Sequence, residues 1–305
     1  MIQRAFHQLG LTLVVLGLVG MVRAAEPPAQ AAGAAKKSAP AAGSAEQSTA
    51  PFTLTAEEQK GVDAMLARWE KWNSGVKNFD CRFKRWTYDS IFGTLDRPMF
   101  VEFGTIKFAS PDKAMFRVEM SEKDGKQIPS EDKRTDQWMF DGKAIWEDNQ
   151  VKKQVIEHKL PPNWKGHSFI DGPLSFPFPT NLFTWIFFGS PSEPFPFPFS
   201  SNAELLKRQY YIRTVSPPPE VKDQIWLEAY PRFTQRGKFF QKIQLIFAES
   251  DMRPFALKIV QPNGKDYTVY QFYDIKINPS ATQANDASFR PVVPPGWQMI
   301  PDSPP

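Results

Sequence analysis

The sequence predicts an α+β fold that is mainly β: a broad, strongly curved antiparallel sheet of about 11 strands, preceded by one helix. Three observations carry this. Apolar and polar residues alternate at period two through much of residues 79–159 and 210–277. The dipeptides Asp141-Gly142 and Asn263-Gly264 separate consecutive alternating runs, as tight hairpins require. The chain also carries 29 Pro among 305 residues, about twice ordinary usage, which disfavours long helices.

Taken in order, Arg4 gives a basic start, residues 9–22 form an apolar run, and Val22-Arg23-Ala24 offers small residues for cleavage, so residues 1–24 read as a signal peptide. The run is too short for a stable membrane span, so the processed protein is expected to be soluble in the periplasm or extracellular envelope. Residues 25–52, rich in Ala and Pro, read as a flexible linker. Residues 53–305 read as one domain, with 160–202 as a lid or insertion.

Thr55 and Glu58 have capping-box spacing, and Val62, Met65, Leu66, Trp69 and Trp72 follow on one helical face before Gly75. The period then changes. Phe79, Cys81 and Phe83 alternate with Asp80, Arg82 and Lys84, and Ala114, Phe116, Val118 and Met120 alternate with Met115, Arg117 and Glu119. Val101 and Phe103 share one parity while Ile106 and Phe108 share the other, predicting a bulge at Gly104. Further strands are expected over 133–140, 143–148, 152–159, 210–215, 223–230, 241–248, 254–261 and 266–277. Within 160–202, residues 181–188 have the composition of a short apolar helix, which the neighbouring Phe-Pro alternation cannot continue.

Gly104-Thr105-Ile106-Lys107-Phe108-Ala109-Ser110-Pro111, then Phe140-Asp141-Gly142-Lys143-Ala144-Ile145-Trp146, and finally residues 289–297 with Pro294-Pro295-Gly296, resemble the corresponding stretches of the LolA/LolB lipoprotein-carrier family, which includes the related domain of the RseB envelope-stress sensor. The resemblance implies an unclosed antiparallel barrel with helical lid segments over a hydrophobic cavity. It departs at Ser110, where the carriers have a functional Arg, and in the long Phe-Pro insertion; no lipid-bearing Cys follows the signal. A hydroxyl cannot replace a guanidinium fork. A divergent relative is implied, without the carriers' full loading cycle.

On this reading the cleft walls are Phe83, Phe103, Phe116, Val118, Met120, Trp138, Phe140, Trp146, Leu245 and Phe247, and the lid is Leu182, Phe183, Trp185, Ile186, Phe187 and Phe188. The expected ligand is an acyl chain of a lipid or lipoprotein. The alternative is an envelope structural or sensory module that binds a protein partner, its core filled by the same side chains. Residues 195–199, Phe-Pro-Phe-Pro-Phe, fit a covered loop, a membrane-touching wedge or a recognition segment.

Enzymatic chemistry finds no support in the residues. His158 and His167 do not have zinc-site spacing, and no nucleophile elbow, P-loop or dinucleotide glycine pattern occurs in a suitable context. The single cysteine, Cys81, shares the parity of Phe79 and Phe83 and reads as a buried, inert thiol. Glu131, Asp132 and Asp136 read as solvated turn and strand charges. Arg85 continues the apolar parity, which leaves it either a salt bridge or a contact to a ligand head group. A net charge of only +4 gives nucleic acid little to bind. No cofactor and no metal is expected.

Overall fold

The computed structural model describes residues 47–110, 113–129, 137–149, 152–159, 203–279 and 289–301. The expected signal peptide, most of the linker, and the 160–202 segment with its lid residues and Phe-Pro runs lie outside the described residues.

Helix α1 (Ala56–Ser74) starts where its cap directs. The Glu58 amide donates to Thr55 Oγ1 at 3.2 Å and the Thr55 amide to Glu58 Oε2 at 2.8 Å, so two otherwise orphaned amide donors are satisfied reciprocally. Val62, Met65, Leu66 and Trp69 are buried on one face, and the Trp69 ring lies 4.7 Å from that of Phe247. Gly75 terminates the helix.

The strands are β1 (Asn78–Tyr88), β2 (Phe100–Ala109), β3 (Lys113–Lys123), β4 (Lys126–Pro129), β5 (Gln137–Asp141), β6 (Ala144–Asn149), β7 (Gln154–Lys159), β8 (Tyr210–Val215), β9 (Gln224–Pro231), β10 (Lys242–Ala248), β11 (Pro254–Val260), β12 (Tyr267–Ile277) and β13 (Gln298–Pro301). Two short helices, α2 (Ala203–Gln209) and α3 (Thr234–Gly237), precede β8 and follow β9. All strands belong to one sheet in the order β13-β7-β6-β5-β3-β2-β1-β12-β11-β10-β9-β8, with β4 pairing β3. The ends, β8 and β13, do not pair with each other, so the sheet is unclosed. Next to its centre lies the β1–β12 pairing, where Phe83 stands opposite Phe272 and Arg85 opposite Tyr270.

Neighbours in this sheet are antiparallel, except that β13 runs parallel to β7. Sequence reading missed β4, β13, α2 and α3. Both strands are four residues long and largely exposed, so neither has the alternation that betrays a half-buried strand. The helices are too short for an amphipathic stripe.

Curvature follows from the core. One contiguous apolar cluster joins α1 and α2 to Ile145 of β6, Phe140 of β5, Phe116 of β3, Phe83 of β1, Leu257 of β11, Leu245 and Phe247 of β10, and Ile212 of β8. Laid flat, the ten strands from β6 to β8 would span about 43 Å at the usual inter-strand spacing. A single cluster reaching across them requires the sheet to bend round it. The side facing this cluster is the inner face of the sheet, and the opposite side the outer face.

The last residues of the expected linker are already ordered against β8 and β9. The Tyr211 hydroxyl donates to the Ser48 carbonyl at 2.8 Å, Ser48 Oγ donates to the Pro231 carbonyl at 2.7 Å, and the Phe52 ring meets Tyr230 edge-on at 5.7 Å.

Candidate functional site

On the inner face, β1, β3, β5 and β10 bring together Phe83, Phe116, Phe140, Leu245 and Phe247, all buried in the main cluster, with Val118 packed against it. The Phe83 and Phe116 rings stack at 5.0 Å. Other expected wall residues stand elsewhere. Phe103 pairs with Lys84, whose Nζ lies 4.9 Å from its ring, on the outer side. The bulge at Gly104 occurs, but it lies in the β2–β3 pairing; the β1–β2 register runs through unbroken, so Phe103 stays out of phase with Ile106 and Phe108. Half-buried Met120 stands opposite Phe103 beyond that bulge.

Trp146 is also on the outer side, because it pairs with Met139 rather than with Phe140. Its indole N–H donates to Asp141 Oδ2 at 3.2 Å, while Asp141 Oδ1 accepts from the Lys143 and Ala144 amides. The Asp141-Gly142 turn thus both closes the hairpin and aims the tryptophan. Trp138 lies in β5 opposite Phe116, and its side chain is outside the described residues. Leu182 to Phe188 lie outside them as well.

Sequence reading named Arg85 but not its partner. Arg85 Nη2 lies 2.6 Å and Nε 2.8 Å from Glu102 Oε2 on the neighbouring strand, with both residues buried. The guanidinium also sits 5.9 Å from the ring centres of Phe116 and Tyr270. Of the two roles left open for Arg85, the structure shows the salt bridge. Farther along the same face, Glu147 is 1% exposed and its Oε2 lies 3.0 Å from Nε2 of His158. Cys81 is fully buried, and burial, with the neighbouring Asp80 charge, pushes its thiol well above the ordinary range. Among the described residues, no group of three or more His, Cys, Asp or Glu side chains could hold a metal ion.

The outer face carries a groove of about 810 Å³ across β3, β2, β1 and β12. Nothing in the sequence reading had singled it out. Its residues are the polar half of the same alternations that bury Phe79, Cys81, Ile106 and Phe116: Asp80 and Arg82 on β1, Thr105 and Lys107 on β2, Arg117 and Glu119 on β3. Asp274 and Lys276 of β12 add to it, and Arg290 and Val292 reach it from the C-terminal segment. That segment is fixed by Phe289, 3% exposed, which packs with Ala109, Met115 and Met139 into a second, smaller apolar cluster. The Asp148 carboxyl is pushed up to about 6, chiefly by burial, against the pull of Arg117. Asp148 Oδ1 and Arg117 Nε are both buried without a hydrogen-bond partner among the described residues.

No family model matches the chain, and no curated protein matches it. Solved structures to which it is similar include LolA superfamily and MucB proteins. An uncharacterized conserved protein from Thermus thermophilus is 12% identical over 79% of this chain and 99% of its own, with a TM-score of 0.42. A LolA superfamily protein from Nitrosomonas europaea is 10% identical over 75% and 97%, with a TM-score of 0.31. MucB in its complex with MucA from Pseudomonas aeruginosa is 13% identical over 74% and 60%, also at 0.31. No described helix is long and apolar enough to cross a membrane.

Proposed function

We propose that the protein is a non-enzymatic, exported binding module that shelters an acyl chain of a lipid or lipoprotein against the inner face of its open sheet. The observation supporting this is the distribution of cover on that face. The described helices pack closely on β8, β9 and each other. Phe116 of β3, Phe140 of β5 and Ile145 of β6 lie on the other arm of the sheet, buried with Phe83 in one apolar cluster. Residues 160–202 follow β7 directly, and their Leu182, Phe183, Trp185, Ile186, Phe187 and Phe188 are the proposed cover. Burying about 15 methylenes at roughly 0.8 kcal/mol each supplies on the order of 12 kcal/mol before ordering costs, so no catalytic group is needed to hold such a ligand.

A second reading, an envelope module that binds a protein, is favoured by the charged outer groove and by an inner core already dense with the chain's own side chains. Native mass spectrometry of the protein purified from an exporting cell, with lipid analysis of its organic extract, separates the two. Stoichiometric acyl cargo, lost in the Trp185→Asp, Phe187→Asp double variant, supports the carrier. A bare protein mass and no uptake of added fatty acid would replace it with the second reading.

A further inference from the structure

We propose that the outer groove is a binding site for an acidic, extended peptide segment of a partner protein. The inference concerns the face opposite the apolar core and stands whether or not the inner face holds an acyl chain. Of the groove's five cations, Lys107 alone has a carboxylate partner, Asp80 at 3.8 Å. The side chains of Arg82, Arg117, Lys276 and Arg290 make no hydrogen bond or ion pair with any described residue. On the anionic side, Asp80 faces Lys107 and Glu119 accepts a hydrogen bond from Thr105 at 3.1 Å. Asp274 is the third carboxylate, and although Arg117 also acts on the nearby Asp148 carboxyl, the five cations lining the groove outnumber its three carboxylates. Three of the five are arginines, with the planar forks that carboxylates engage in bidentate fashion.

Register gives the surplus a shape. Arg117, Thr105 and Arg82 stand opposite one another on three successive strands, so the two arginines lie about 10 Å apart at the backbone. Lys276 stands opposite Asp80 one strand farther on. Phe289, buried on the same face, holds Arg290 at the groove's margin. This spread suits acidic side chains two residues apart on an extended chain, whose like-facing positions recur about every 7 Å. Volume points the same way, because about 810 Å³ is far larger than a single phosphate or dicarboxylate requires and lies within the range of specific ligand sites. The carboxylates retained in the groove oppose a uniform polyanion such as nucleic acid.

The test uses the full mature chain, immobilised, and two matched pools of hexapeptides, one with Asp or Glu at alternate positions and one with Asn or Gln there. At low ionic strength the acidic pool is expected to be retained at least tenfold over the amide pool, and the preference is expected to vanish in the Arg82→Gln, Arg290→Gln variant. Both side chains are exposed, so the variant is expected to keep its melting temperature. Lys60→Gln, on the exposed side of α1, is the matched charge control and should bind like the parent. Equal retention of both pools, or a preference unchanged by the double variant, overturns the proposal. Binding of inorganic phosphate or of phosphatidylglycerol vesicles through Arg82 and Arg290, without retention of the acidic pool, overturns it in favour of a phosphate site.

Discussion

The ring of Phe83 lies so close over Gly104 that a β-carbon placed there would stand 2.5 Å from its Cζ and would also collide with the Arg117 carbonyl. The glycine is what lets β3 bulge against β2 while the Phe83–Phe116 stack stays closed. Gly104→Ala is expected to cost about 1–3 kcal/mol, seen as a lower urea midpoint, because an overpacked backbone contact cannot be relieved by side-chain rotation. A wild-type midpoint for Gly104→Ala would refute the close approach.

Arg85 and Glu102 form a desolvated pair inside the apolar face. Glu102→Leu removes the carboxylate that faces the buried guanidinium, which also reaches the Tyr270 hydroxyl at 3.4 Å, so it is expected to destabilise by about 3 kcal/mol, and adding Arg85→Met should recover part of the loss. Equilibrium unfolding of the singles and the double measures the coupling. Strict additivity would mean that the pair does not interact.

Asp148 carries the clearest pH signature among the described carboxyls. Its folded pKa of about 6 lies above its ordinary 3.8, so the native state holds the proton between those values and loses relative stability as pH rises through 6. Asp148→Asn is therefore expected to raise the melting temperature more at pH 7.5 than at pH 4.5. The difference should be on the order of 1 kcal/mol, a few degrees for a domain of this size. Equal gains at both pH values would show that the carboxyl is not raised.

Phe289 anchors the segment that ends in β13. Phe289→Ala is expected to cost about 3 kcal/mol or more. Hydrogen exchange should quicken first at the amides of Gln298, Met299 and Ile300, where β13 pairs with β7. If those amides exchange no faster, β13 is held independently of the anchor.

The sheet was legible where alternation was strong. Phe79, Cys81 and Phe83 fixed the inner face of β1, and Thr55 with Glu58 marked the start of α1. The site was less legible, for a physical reason. Period two assigns parity within a strand but does not say which parity of the next strand shares its face. Trp146 and Phe103 were placed on the inner wall by composition, and register put them outside. The groove was invisible for a related reason: Arg82, Lys107 and Arg117 each read as ordinary solvated strand residues, and only the pairing of β1, β2 and β3 gathers them.

The β1–β12 pairing joins residues 79–88 to 267–277. In the order in which a ribosome makes the chain, the strand that completes the middle of the sheet comes nearly last, so the first half cannot acquire its native neighbour until almost everything has been synthesised. Such distant pairing is slow to form. Until β12 is made, one whole edge of β1 stays open, and the two arms of the sheet are joined only when nearly the full length of the chain is available.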